Sequence, residues 1–195
     1  MNWSLIQTIF IFISSILALI SPIVYAKAIL KGEAKPHRTT RFILLVITTL
    51  STASLLANHN TVAVWLAAIS TIQAIIVFLL SLKYGMGGWA KIDILCLVIA
   101  IIGIIFWQTT NNPLFGLYFS ILADLTGMIP TIIKTYQLPQ TEIATFFALD
   151  TIASIFTFFA NSDFSVANIA YPVYLMLINA LMVTLIITPK LKHTY

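Results

Sequence analysis

Seven apolar runs, at about residues 5–26, 42–57, 62–82, 93–109, 114–133, 143–160 and 169–188, divide this chain, and most charged positions fall between them. Each run approaches the ~20 residues that a helix needs to cross hydrocarbon, the second and sixth falling slightly short. None shows the alternation of a lipid-facing strand. The pattern therefore predicts seven membrane-spanning helices whose backbone groups are satisfied within each helix.

Charge gives these helices a direction. Lys27, Lys31, Lys35, Arg38 and Arg41 follow the first run, Lys83 and Lys91 the third, Lys134 the fifth, and Lys190 and Lys192 the seventh. The intervening turns, at Asn58-His59-Asn60, Asn111-Asn112 and Asn161-Ser162-Asp163, hold neither Lys nor Arg. By the positive-inside rule the N-terminus lies outside and the C-terminus in the cytoplasm. The first run is too long for a signal-peptide core and no small-residue cleavage site follows it, so it is expected to stay in the mature protein. Trp3, Trp89 and Tyr195 fall at predicted interfaces and read as belt residues.

Composition excludes several classes of function. The mean hydropathy is +1.02 and 8% of residues are charged, against about 25% in a soluble domain. The net charge of +4 follows from the cytoplasmic loops, and no basic stripe with interleaved aromatics suggests nucleic acid. Cys96 stands alone inside the fourth run and reads as a packed thiol. A glycine-rich phosphate loop, a metal-ligand cluster and a nucleophile–base pair are all missing from the sequence, so neither an enzyme nor a cofactor is expected.

Landmarks recur at one offset. Pro22 and Pro130 are 108 positions apart (130 − 22), Trp65 and Tyr171 are 106 apart (171 − 65), and so are Gln73 and Asn179 (179 − 73). The reading is an all-α polytopic protein of two parallel three-helix repeats, residues 1–84 and 112–195. A linker helix in 85–111, after Gly85-Met86-Gly87-Gly88, restores the second copy to the orientation of the first. Parallel repeats related by an axis along the membrane normal are a transporter architecture, with the substrate held at the repeat interface.

At ~1.5 Å per residue, Gln73, Asn179, Asp124 and Asp150 all fall near the midplane. Ionisable residues at that depth cost ~2.5–3.5 kcal/mol on insertion scales and usually line a pathway. Carboxamides supply both donors and acceptors for a polar solute. Gln73 and Asn179 are therefore candidate substrate-binding residues, with Trp65 and Tyr171 above them as a stacking wall or as belt residues. Neither acid has an acidic counterpart in the first repeat, and no Lys or Arg falls at their depth. Asp124 and Asp150 are accordingly candidate proton carriers, and hydrogen bonding between helices is the structural alternative. Pro22 and Pro130 break helix hydrogen bonds and are either hinges or static bends. Pro172, near the start of the seventh run, reads as a first-turn proline. The loop Lys31–Arg38 could contact anionic headgroups, and His37 and His59 read as solvated loop residues.

The segment Gly127-Met128-Ile129-Pro130-Thr131, then Tyr136 and Thr145-Phe146-Phe147, with Pro22, Tyr25, Gly32, Lys35-Pro36, Thr39-Thr40 and Phe42 in the first half, resembles the SWEET / PQ-loop superfamily. The resemblance covers the chain through its 3+1+3 plan, and its motifs are short. Members often carry Gln after the helix proline, where this chain has Ile23 and Thr131; its literal Pro139-Gln140 lies in the following turn. Plant-type sugar transporters pair two Asn residues where this chain has Gln73 and Asn179, so a sugar is not implied. By architecture the nicotinamide riboside transporters are similar.

The resemblance implies a membrane transporter moving a small polar metabolite (a sugar, an amino acid or a vitamin-like solute) by alternating access, with Pro22 and Pro130 as hinges and an intramembrane Asp for proton coupling. The alternative is a SWEET-like receptor or sorting protein that binds without translocating, as the ER-retention-signal receptors do. The sequence shows no buried cation with which to grip a peptide carboxylate. Expected partners are the solute and membrane lipid, without nucleic acid; homo-oligomerisation is compatible with this plan, and a bacterial inner membrane is the expected location.

Overall fold

The computed structural model describes residues 3–34, 36, 38–85 and 90–188, the side chains of Pro130, Lys134 and Thr141 excepted. Lys35, His37, Trp89, Lys190, Lys192 and Tyr195 lie outside the described residues. Among the described residues seven α-helices follow one another: α1 (Trp3–Leu30), α2 (Arg38–Ala57), α3 (Ala63–Tyr84), α4 (Lys91–Thr110), α5 (Pro113–Gln137), α6 (Ala144–Phe159) and α7 (Val166–Ile187), with a 3-10 turn at Pro139–Thr141 before α6. Among the described residues the regular structure is all helical.

Six of the helices are long and apolar enough to cross a membrane, as an integral membrane protein requires. The exception is α6, whose 16 residues span about 24 Å at helical rise, against ~30 Å of hydrocarbon. Several of the others outrun their apolar runs: α1 continues through Lys27 to Leu30 and α2 begins at Arg38. A helix satisfies its backbone wherever it sits, so hydrocarbon bounds the apolar run but not the helix.

Local chemistry fixes the ends. Gly32 N–H donates to Ile29 O and Glu33 N–H to Ala28 O, with Gly32 at φ +76°; this is a Schellman close, in which the left-handed residue suits glycine. α2 closes the same way, His59 N–H donating to Leu56 O and Asn60 N–H to Leu55 O, but with His59 at φ +54°. Asn60 Oδ1 then accepts from Val62 N and Ala63 N, at 3.1 and 2.7 Å, and starts α3. Asp93, 2% exposed, accepts from Ala90 N at 3.0 Å and from Thr40 Oγ1 at 3.0 Å. It thereby places a carboxylate at the positive end of α4 and ties that end to α2.

The expectation for Pro172 is corrected. Because Ser165 and Asp163 begin α7 three residues before the apolar run, Pro172 is the seventh residue of the helix, buried in its interior. It deprives Asn168 C=O of its usual partner. Pro22 is likewise buried inside α1.

Helices assemble as two triads with crossed interfaces. α3 packs between α1 and α2, α7 between α5 and α6, α1 lies against α6 and α2 against α5, and α4 rests mainly on α5. Lipid tails are as apolar as Leu, so close packing and hydroxyl bonds must hold these helices together. Ser14 and Thr157 join α1 to α6 at 2.6 Å, Ser51 and Ser120 join α2 to α5 at 2.7 Å, and Thr52 and Thr71 join α2 to α3 at 2.9 Å. Gly116 lets α5 approach closely, since a Cβ there would meet the Ser54 hydroxyl and lie 2.8 Å from the Trp107 ring.

Candidate functional site

A cavity of about 510 Å³ lies between the triads. At one end its wall includes Pro36, Thr40, Ala90 and Glu142, close to the α1–α2, α3–α4 and α5–α6 connections. The opposite end is filled by an apolar cluster that includes Ala18, Leu55, Ala63, Leu66, Leu117, Ala153 and Tyr171. Past that cluster the α2–α3 and α6–α7 turns are laced together by polar bonds. Asn60 Nδ2 donates to Asn168 Oδ1 at 3.0 Å, Asn168 Nδ2 to Asp163 Oδ2 at 2.9 Å, and Gln7 Nε2 to Ala160 O at 3.0 Å.

Gln73, Asn179, Asp124 and Asp150 all line this cavity, from α3, α7, α5 and α6. Gln73 Nε2 donates to Asp150 Oδ2 at 3.4 Å, and the Ser21 hydroxyl is a second partner of Asp150. Ser21 Oγ also lies 3.3 Å from Phe146 O, so its one proton has two acceptors, immediately before Pro22. The Tyr174 hydroxyl donates to Asp124 Oδ2. Asn179, a lining residue, donates from Nδ2 to Leu175 O within α7 at 2.8 Å, which leaves its carbonyl oxygen as an acceptor. Tyr171, 3% exposed, hydrogen-bonds with Ser70 and closes the space above.

Trp65 is placed elsewhere. It is 56% exposed on the outer surface and forms no part of the cavity wall. Leu66, Ser70, Gln73 and Val77 turn one side of α3 inward, and Trp65 precedes Leu66 by one residue, about 100° around the helix. Of the two aromatics, Tyr171 alone lines the cavity. Pro22 is buried inside α1 but does not line the cavity, and Pro130 lies in α5 with its side chain outside the described set.

One expectation is overturned. The cavity does contain a cation: Arg41 lines it. Ser51 pairs with Ser120 while Gly116 adjoins Ser54 and Leu50, so α2 and α5 run antiparallel. Arg41 lies ten residues from Ser51 and Asp124 four from Ser120, toward the same end. At 1.5 Å per residue their Cα atoms differ in depth by about 9 Å, a separation across which the charge of the long arginine side chain still acts on Asp124. Depth counted at Cα alone omits this reach. Arg41 Nη2 donates to the Tyr25 hydroxyl at 2.7 Å, and its guanidinium lies 5.0 Å from the Tyr25 ring centroid.

Tyr25 and Tyr174 are further site residues, which the depth of polar positions does not single out. Tyr174 carries a detectable signal, since it stands three residues after Tyr171, about one turn along the same face of α7. Among the described residues no three His, Cys, Asp or Glu side chains converge to hold a metal ion. Comparison with protein-family models, with curated proteins and with solved structures finds no match. The chemistry of the site therefore rests on its own geometry: a pocket-sized cavity that presents hydrogen-bonding groups, carboxylates and one guanidinium to whatever enters.

Proposed function

We propose that this protein is a carrier that moves a small polar metabolite across the membrane by alternating access, with the N-terminus outside and the basic loops in the cytoplasm of a bacterial cell. The observation that carries the reading is the cavity between the two triads, into which four helices send Gln73, Asn179, Asp124 and Asp150. Such a shared depth for costly polar groups is the mark of a pathway.

Two relations support a repeat as its framework. Exchanging α1 with α5 and α2 with α6 turns the α1–α6 contact into α5–α2, and both are present. Ser14 and Ser120 are 106 positions apart (120 − 14), as are Ser51 and Thr157 (157 − 51), so the two hydroxyl bonds that seal those interfaces interchange under the offset that relates Gln73 to Asn179. The unit is then 3+1+3, the plan shared by the SWEET / PQ-loop superfamily, with α6 as a short seventh crossing. Alternating access rocks one triad against the other about Pro22 and Pro130. In this arrangement the cavity is open toward the basic loops and shut at the Asn60–Asn168 end. Protonation of Asp150 or Asp124 couples the cycle to the proton gradient, because Gln73 and Ser21 on the first triad reach across to Asp150 on the second.

Uptake by proteoliposomes, screened over sugars, amino acids, vitamins and nucleosides with and without an inward proton gradient, tests this reading. Accumulation of one class, lost in Asp150→Asn, is expected; gradient-driven uptake that survives both Asp150→Asn and Asp124→Asn would remove the acids from the mechanism. A second reading, a receptor that binds without translocating, draws on Arg41, which gives the cavity a cation able to hold a peptide carboxylate. Binding without movement would favour it.

A further inference from the structure

Arg41 and the two deeper acids, Asp124 and Asp150, stand apart along the cavity, and that separation restricts what fits between them. Arg41 stands on the α2 side toward the basic loops, while Asp124 and Asp150 stand deeper, on α5 and α6. Among the described residues Arg41 makes no ion pair and donates one hydrogen bond, to Tyr25, out of the five donors a guanidinium carries. Tyr25, 3% exposed, clamps it from one side by that bond and by its ring face, so the remaining donors are oriented as well as free. Asp93 also lines the cavity, but its two oxygens are taken by Ala90 N and Thr40 Oγ1. Glu142 lies at the mouth.

Resting on the carrier reading, we infer that the solute is bipolar: a zwitterion whose anionic group docks on Arg41 and whose cationic group docks between Asp124 and Asp150. A guanidinium held in a low-dielectric cavity is costly without an anion, and a carboxylate can satisfy it with two parallel bonds. A simple amine would meet Asp124 and Asp150 but leave Arg41 facing an empty cavity or a like charge. A simple acid would do the reverse. A neutral polyol would neutralise neither end. The cavity volume of about 510 Å³ falls within the usual range for small-molecule sites, so one small zwitterion with a short apolar body is accommodated beside Phe147 and Leu175.

The test is stabilisation of the full-length purified protein against thermal unfolding. One set of probes is the twenty common amino acids with 4-aminobutyrate; the other is 3-methylbutylamine, 4-methylpentanoate and sorbitol. The same solutes are run in parallel through proteoliposome counterflow. At least one zwitterion is expected to stabilise with an apparent Kd at least tenfold below those of the amine and the acid. Arg41→Gln should raise that Kd at least tenfold and bring the amine level with the zwitterion. Tyr25→Phe, which removes only a hydroxyl, should raise it severalfold and serves if Arg41→Gln does not fold. An amine that binds the wild type as tightly as any zwitterion, or sorbitol binding where no zwitterion does, overturns the inference and leaves the carrier reading standing. A zwitterion that binds but never exchanges leaves the inference standing and removes the carrier. If no probe binds or moves, the inference falls, and the carrier reading stands or falls by the wider uptake screen.

Discussion

The hydrogen bond from the Tyr174 hydroxyl to Asp124 Oδ2 reports whether Asp124 is charged, and a double-mutant cycle can read it. Tyr174→Phe removes the donor with little change of shape, Asp124→Asn removes the charge with little change of volume, and the double variant closes the cycle. Hydrogen bonds to a charged group contribute about 1.5–3 kcal/mol, whereas side-chain bonds between membrane helices average about 0.6 kcal/mol and reach about 1.7. The two cases differ by roughly 1–2 kcal/mol, or about five- to thirtyfold in an unfolding equilibrium constant. Equilibrium unfolding in mixed micelles at pH 8 and pH 5 resolves that difference. If Asp124 carries the coupled proton, the coupling energy should be near 2 kcal/mol at pH 8, with Arg41 as the neighbouring cation, and fall to about 0.6 at pH 5. A coupling energy that stays the same at both pH values would refute the assignment of Asp124 as a proton carrier, whatever its size.

Further expectations concern packing, caps and the cavity wall. Gly116→Leu forces a side chain against Ser54 and Trp107 and should destabilise the protein by about 1–3 kcal/mol, visible as a lower melting temperature. His59→Gly should stabilise by about 1 kcal/mol, because a left-handed residue other than glycine carries a steric cost of that order; a loss of stability would contradict the Schellman close of α2. Asn60→Ala removes the acceptor for two N–H groups at the start of α3 and the bond to Asn168, an expected cost of about 1–2 kcal/mol in the same assay. Tyr171→Ala should weaken solute binding at least tenfold while Trp65→Ala leaves it unchanged, since only Tyr171 faces the cavity.

Much of this was legible in the sequence, and the limits have physical causes. Apolar runs set the helices to within a few residues, because hydrocarbon thickness imposes a length. Gln73, Asn179, Asp124 and Asp150 could be brought to one cavity from depth alone, since helical rise is constant and polar groups at the midplane seldom face lipid. Azimuth was harder. Trp65 and Tyr171 share a spacing to their carboxamides, yet lie on opposite sides of their walls, because the direction a helix face takes is set by its neighbours. Arg41 reads as a loop cation because its Cα lies near the end of α2, yet its side chain lines the cavity and meets Tyr25. Pro172 fell outside the expected first turn because α7 begins with the polar signals at Asp163 and Ser165, ahead of its apolar run. Arg41–Tyr25 and Tyr174–Asp124 are tertiary pairings, for which no periodicity in one chain provides a signal.

Accessibility of the cavity from each face tests the central claim most directly, and it requires no knowledge of the solute. Cys96 is the single cysteine, so Cys96→Ala gives a background in which Asn179→Cys is the one thiol, placed at the cavity wall. With a membrane-impermeant maleimide applied to either face of oriented vesicles, alternating access predicts labelling from both faces, the outer face reacting more slowly because the Asn60–Asn168 end is shut in this structure. Labelling from the basic-loop face only, under all conditions including an imposed proton gradient, would contradict a carrier and leave a one-sided binding protein.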